Sequence, residues 1–298
     1  MYRFFLGGSM KLISCSNHCT LEDEKCYSEN SYYLSGLEPK YVFEENQVQV
    51  TWKTEKGIRF PYVSGTLVHP KAYVDRPTTH ILMNTSEIDA KWCFPILRKY
   101  IHATDRVCVF AFSFFDDTKN SSDWNKQYAP GQGIWYRANT DVFFKYGIKK
   151  EQIVWVNYFQ DSRQEIESKI LNSSILLITG GAPDLMMKRI KEFRLKKLLK
   201  NYKGLMLGYS AGAMIQLDQY HITPDQDYPT FGYYSGLATL SGFSIEPHYQ
   251  NSSNQKASIE QVLADKKHPV YAIGELGGLI VQDGNITCFG DVELFESC

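Results

Sequence analysis

The chain has 298 residues, of which 43% are hydrophobic, 14% aromatic and 22% charged, and 32 Lys and Arg against 33 Asp and Glu leave a formal charge of -1. This composition excludes a disordered chain and a generic nucleic-acid binder, which needs a surplus of positive charge. No run approaches the roughly 20 apolar residues that span a bilayer, so neither nucleic acid nor membrane is an expected partner, and the length suits one large or two ordinary domains.

Met1 to Cys15 starts basic and ends in Leu-Ile-Ser-Cys, which resembles a bacterial lipoprotein cleavage box. Lys11 interrupts an apolar stretch already too short for a secretory signal, so the expected location is the cytoplasm. The seven cysteines (Cys15, Cys19, Cys26, Cys93, Cys108, Cys288 and Cys298) are odd in number and too sparse for a disulfide scaffold. Cys15, His18, Cys19 and Cys26 lie close together, but their spacing matches no common zinc arrangement, and no metal is expected. From Tyr41 to Leu67 the text is β-like: Val48, Val50 and Trp52 alternate with polar residues, and Lys56-Gly57 suits a turn. Pro70, Lys71 and Asp75-Arg76-Pro77 read as a connector. Residues 1–78 are therefore expected to form a β-rich extension without visible chemistry, ahead of a domain over 79–298.

Past that connector, short apolar runs alternate with helical text. Strands are expected at His80–Met83, Arg106–Phe112, Gln152–Val156, Ser174–Thr179 and Gly204–Leu207, and a helix at Ala90–Ile101. Unalternated runs of four to six apolar residues suit strands buried on both faces, which predicts an α/β domain with a doubly wound, mostly parallel sheet. Functional loops then belong at the strands' C-terminal ends. The basic stretch Lys188 to Lys203 reads as a solvated helix whose Ile190, Phe193, Leu198 and Leu199 face the sheet.

Gly208-Tyr209-Ser210-Ala211-Gly212, directly after a predicted strand, fits the G-x-S-x-G nucleophile elbow. A tight strand-to-helix turn needs small flanking residues, and a helix start aims backbone N–H groups at a reacting carbonyl, so Ala211 N–H is one candidate oxyanion donor. The preceding strand ends in Gly180-Gly181, where Gly181 N–H is the other. A serine at neutral pH needs a base. His221, His248 and His268 lie downstream, and His248, in Glu246-Pro247-His248-Tyr249, is the favourite. Glu275 is the first candidate for the acid that orients the imidazole, with Asp225 and Asp227 as alternatives.

The ordered set Asn84-Thr85-Ser86, Gly180-Gly181, Gly208 to Ala213, Pro247-His248-Tyr249 and Ile273-Gly274-Glu275 resembles peptidase family S51, which includes aspartyl dipeptidase and cyanophycinase. The likeness covers roughly residues 79 to 298. It implies a class I glutamine amidotransferase-like fold, Ser210 as nucleophile, His248 as general base and acid, and Glu275 or Asp225 as the third member. It further implies short peptide substrates and no metal or other cofactor. The dipeptidase branch carries an Arg-rich stretch after the catalytic His. Here that stretch reads Asn251 to Lys256 without Arg, so Lys256 and His221 are the candidate substrate-binding groups and aspartate specificity is not implied. The assembly state, a homodimer among the options, is not set by the sequence. Two further readings stand beside the peptidase: a non-catalytic binding or regulatory protein on the same scaffold, and an α/β-hydrolase-type esterase. The short chain left after Ser210 disfavours the esterase.

Overall fold

The computed structural model describes residues 77–296, together with the backbone of strands at 2–4, 13–15, 37–44, 47–54 and 63–66. The chain divides into two units, Met1–Arg76 and Pro77–Cys298. In the first, β1 (Tyr2–Phe4) pairs antiparallel with β2 (Ile13–Cys15). There β3 (Leu37–Glu44), β4 (Gln47–Thr54) and β5 (Val63–Thr66) form an antiparallel three-stranded sheet, and the Val48-Val50-Trp52 alternation falls in β4. The side chains of Cys15, His18, Cys19 and Cys26, the Lys56-Gly57 turn and the connector from Pro70 to Arg76 lie outside the described residues.

The second unit is built on an eight-stranded sheet. Its strands are β6 (Thr79–Met83), β7 (Val107–Phe110), β8 (Ile153–Val156), β9 (Ile175–Ile178), β10 (Leu205–Tyr209), β13 (Ser244–Glu246), β14 (Val270–Gln282) and β15 (Asn285–Phe295). The order is β13-β14-β6-β10-β9-β7-β8, with β15 on the free side of β14. From β6 to β8 every pairing is parallel, whereas β14 runs antiparallel to both β6 and β15. The expected doubly wound, mostly parallel α/β fold is therefore the one adopted. β11 (Gln219–Ile222) and β12 (Gly232–Ser235) form a separate hairpin.

All residues of β6, β7 and β9 are buried, which is why these strands read as unbroken apolar runs. One face packs Leu82, Phe110, Ile178 and Met206 beneath α3 (Arg163–Leu171) and α4 (Pro183–Glu192), and the other gathers Ile81, Val109, Leu177 and Leu207. Each such side chain contributes roughly 1.5–3 kcal/mol of burial free energy. Two expectations are corrected. The helix expected at Ala90–Ile101 is reduced to α1 (Phe94–Leu97), entered through turns that bring Cys93 Sγ to the Glu87 and Ile88 carbonyls. The basic stretch is two helices, α4 and α5 (Lys196–Lys200), broken at Arg194, whose φ is 55°. Arg189 is not on a solvated face. It is buried and donates from Nη1 to the Phe112 and Phe114 carbonyls at 2.7 and 2.5 Å, with its guanidinium 3.6 Å from the Phe114 ring centroid.

Candidate active site

The sheet's parallel strands bring Met83, Phe110, Ile178 and Tyr209 to one edge, where Ser210 leaves β10 and α6 (Ala211–Met214) begins. Ser210 sits at φ 50°, ψ -118°, a conformation that costs of order 1–3 kcal/mol and persists only when its surroundings over-determine it. They do so through backbone hydrogen bonds. Ser210 N–H donates to the Met83 carbonyl at 2.8 Å, and the Ala213 and Met214 N–H groups donate to the Ser210 carbonyl at 2.9 and 3.0 Å. The flanking glycines are steric necessities: a Cβ on Gly208 would lie 2.1 Å from the Gly212 carbonyl oxygen, and one on Gly212 the same distance from that of Ile178. Below the turn, Gln216 Nε2 donates to the Gly212 carbonyl at 3.1 Å, and its Oε1 accepts from His80 Nδ1 at 2.8 Å. Burial depresses the His80 pKa, which favours the neutral ring that makes this contact.

The turn after β9 faces the elbow. Gly181 adopts φ 136°, and a Cβ there would come within 2.2 Å of the Ser113 carbonyl oxygen. That carbonyl accepts from Ala182 N–H at 2.7 Å, while Ser113 Oγ donates to the Gly180 carbonyl at 2.5 Å and lies 2.7 Å from Thr179 Oγ1. Ser113 thus locks the turn, and Arg189 in turn holds the 112–114 segment. Among the described residues neither Gly181 nor Ala211 N–H has a hydrogen-bond partner. Tyr209 closes the side: burial pushes its hydroxyl up to about 12, and it donates to Asn139 Oδ1 at 2.8 Å.

His248 follows β13 at φ 51° and meets Glu275 Oε1 through Nδ1 at 2.6 Å. Glu275 stands on an irregularity in β14 between Ile273 and Gly277, a device that re-aims a side chain out of a strand. Asn84, at the end of β6, pins this irregularity by donating from Nδ2 to the Ile273 and Gly274 carbonyls, both at 2.6 Å. Tyr249 N–H donates to the same Ile273 carbonyl at 2.9 Å. Behind it, α7 (Ser253–Lys266) opens with a Ser252/Gln255 capping box, and Gln255 Nε2 donates to the His248 carbonyl at 2.9 Å. The Asn251–Lys256 stretch is accordingly a helix start that holds the histidine loop. Lys256 is exposed and does not line either cavity described below, so the geometry does not place it as a substrate-binding group.

Ser210 and His248 are not hydrogen-bonded to one another among the described residues, a looseness common in ligand-free hydrolytic sites. They nevertheless line the same two cavities, together with Gly181. Asp225 Oδ1 accepts from the Asp227 and Tyr228 N–H groups at 2.9 and 2.7 Å, which makes it a turn-former rather than a partner of His248. His221, on β11, is buried and bonds through Nε2 to Glu246 Oε2 at 2.7 Å, where Thr223 Oγ1 also donates at 2.8 Å. His268 is half-buried, its pKa depressed by desolvation, with Nε2 2.9 Å from Ser244 Oγ.

One cavity, of about 350 Å³, is lined in part by the polar and charged side chains of His221, Thr223, Asp225, Tyr228 and Glu246. The other, of about 660 Å³, is aromatic and includes Phe114, Phe115, Tyr128 and Trp135. A sequence model of peptidase family S51 matches residues 133–289, which include the elbow, His248 and Glu275. The chain belongs to peptidase family S51. Among solved structures this S51 chain is similar to a protein named for peptidase E from Listeria monocytogenes EGD-e. The two share 16% identity over 72% of this chain and 98% of that one, with a TM-score of 0.51, a likeness of fold. A peptidase from an acI-B1 Actinobacterium also aligns, at 12% identity over 74% and 95% of the two chains, with a TM-score of 0.47. Among curated proteins no match emerges. No group of three or more His, Cys, Asp or Glu among the described residues is placed to hold a metal ion, and no described helix is long and apolar enough to cross a membrane.

Proposed function

We propose that this S51 chain is a serine-type exopeptidase of short peptides. Ser210 Oγ attacks the scissile carbonyl while His248 takes its proton, and Glu275 holds the imidazole and stabilises its charged form. The unpartnered Gly181 and Ala211 N–H groups receive the developing oxyanion. His248 then gives the proton to the leaving amine, and water releases the acyl group from Ser210. The observation that carries the reading is the strained Ser210 at a strand end, lining one cleft with a His248 that is 2.6 Å from Glu275. The two cavities meet at Ser210, which suits residues on either side of a scissile bond. Hydrolysis of a dipeptide library with free N-termini, together with mapping of a fluorophosphonate adduct, tests this. Turnover with the adduct on Ser210 is expected. Neither turnover nor labelling would favour the binding-protein reading, and cleavage of acyl esters without any dipeptide would favour the esterase.

A further inference from the structure

The aromatic cavity has Ser210, Gly181 and His248 in its own wall, so a side chain seated there lies beside the scissile bond. Of the six large apolar side chains left exposed among the described residues, Phe115 and Trp135 both belong to this wall, at 39% and 50% exposure. Apolar surface gathered in a concavity beside a nucleophile marks a ligand site, unlike apolar side chains scattered singly. Phe114 and Tyr128, both buried, complete the wall. Tyr128 is backed by Trp124 and Trp155, with ring centroids at 5.3 and 6.0 Å, so this side of the cavity is packed and fixed.

Trp135 is tied to the elbow through its backbone. Its N–H donates to the Gln127 carbonyl at 2.8 Å, and its own carbonyl accepts from Asn139 Nδ2 at 2.9 Å. Asn139 is fully buried, and its Oδ1 accepts from the hydroxyl of Tyr209, the residue before Ser210. The approach to Trp135 is equally fixed, because a Cβ on Gly133 would lie 2.6 Å from the Gln127 carbonyl oxygen. The exposed indole therefore stands on a pre-formed platform, and a ring that meets it costs little ordering. Charge decides the class of side chain. Neither Lys nor Arg lines the cavity, whereas an exposed Glu87 does. An acidic side chain would meet a like charge and no basic side chain. A basic one could pair only with a solvated carboxylate, where an ion pair counts for little. A ring gains buried area and ring-to-ring contact from several walls at once.

We infer that the cavity walled by Phe114, Phe115, Tyr128 and Trp135 takes an aromatic or large apolar side chain of the peptide, with Phe115 and Trp135 setting that specificity. This rests on the peptidase reading and names the substrate class for it. The experiment measures kcat/KM for Ala-Phe, Ala-Ala, Ala-Glu and Ala-Lys, and for Phe-Ala, Glu-Ala and Lys-Ala, in wild type, Trp135→Ala and Phe115→Lys. At one of the two positions Phe should exceed Ala by about ten-fold, the scale of burying most of a benzyl group, and exceed Glu and Lys as well. In Trp135→Ala the Phe-to-Ala ratio at that position should fall about five-fold, and the position that responds is the one seated in the cavity. In Phe115→Lys, Glu should gain on Phe at the same position. Unfolding midpoints accompany both variants, and Trp135→Leu carries the first test if the Ala variant folds poorly. Equal rates for Phe and Ala at both positions, a preference for Glu or Lys over Phe at both, or a Phe-to-Ala ratio that Trp135→Ala leaves unmoved overturns the inference. Calorimetric binding of the same peptides to Ser210→Ala reads the preference without turnover. Phe-selective binding with no hydrolysis by wild type fails the peptidase reading alone, and hydrolysis without Phe selectivity fails this one alone.

Discussion

Replacing Glu275 with Gln removes one negative charge and little else. The Gln side chain keeps an acceptor oxygen for His248 Nδ1 and thereby the orientation of the ring. What changes is the stabilisation of the imidazolium formed when Ser210 loses its proton. Two unit charges about 4 Å apart interact by about 4 kcal/mol at an effective dielectric of 20 and by about 1 kcal/mol in water. With side chains 44% and 47% exposed, the His248–Glu275 pair lies between these limits. A value of about 2 kcal/mol corresponds to about a thirty-fold fall in kcat. KM should change little, because the charge is needed in the transition state more than in the bound substrate. Glu275→Leu, which also releases the ring, should lose about ten-fold more, within the usual range of general-base contributions. Steady-state kinetics on the best dipeptide measure both. Glu275→Gln at the wild-type kcat, with the thirty-fold loss found in Asp225→Asn instead, would refute the assignment of the acid.

Gly212→Ala drives a Cβ into the Ile178 carbonyl, 2.1 Å away in the native backbone, and should destabilise the fold by about 1–3 kcal/mol. A chemical-denaturation midpoint equal to wild type would contradict that steric reading. Arg189→Met leaves the Phe112 and Phe114 carbonyls without their buried donor and should cost about 2–4 kcal/mol, with activity falling as the Ser113 clamp loosens. Arg189→Lys should recover little of either, since an ammonium lacks the planar face that stacks on Phe114. His80 is kept neutral by burial, its folded pKa below the unfolded value of 6.5. Below 6.5 the unfolded chain binds the extra proton first, so this contribution is complete above 6.5 and is lost as pH falls toward the depressed folded value. Urea midpoints at pH 7.5 and 5 should therefore converge in His80→Gln relative to wild type, and an unaltered pH difference would remove His80 from the account.

The parts of the fold and site that repeat a local rule were legible in the sequence. β6, β7, β9 and β10 are buried on both faces and so appear as plain apolar runs. The elbow is legible because its geometry demands glycine at fixed offsets, and Glu275 because it stands between glycines where a strand deforms. What stayed hidden depends on side chains meeting across long sequence separations. Ser113 clamps Gly180 from 67 residues away, and Asn84 reaches the Gly274 carbonyl across 190. Neither carries a local signature beyond its position after an apolar run. Arg189 was hidden differently, since charge in a basic stretch reads as solvated and its burial follows only from the carbonyls that await it. The Ser252-x-x-Gln255 capping box is a local pattern, but nothing local shows that Gln255 also reaches the His248 carbonyl. His221 lines the cavity beside Ser210, and its pairing with Glu246 depends on the β11 and β13 arrangement that no local pattern announces.

The most direct measurement is kcat/KM for dipeptide hydrolysis by Ser210→Ala beside wild type, with circular dichroism and a matched unfolding midpoint to show that the variant is folded. Turnover is expected to fall by at least about 10³-fold, to a level set by the oxyanion donors and binding alone. Turnover within a few-fold of wild type would contradict it, because no reaction through an acyl-Ser210 intermediate survives the loss of that oxygen.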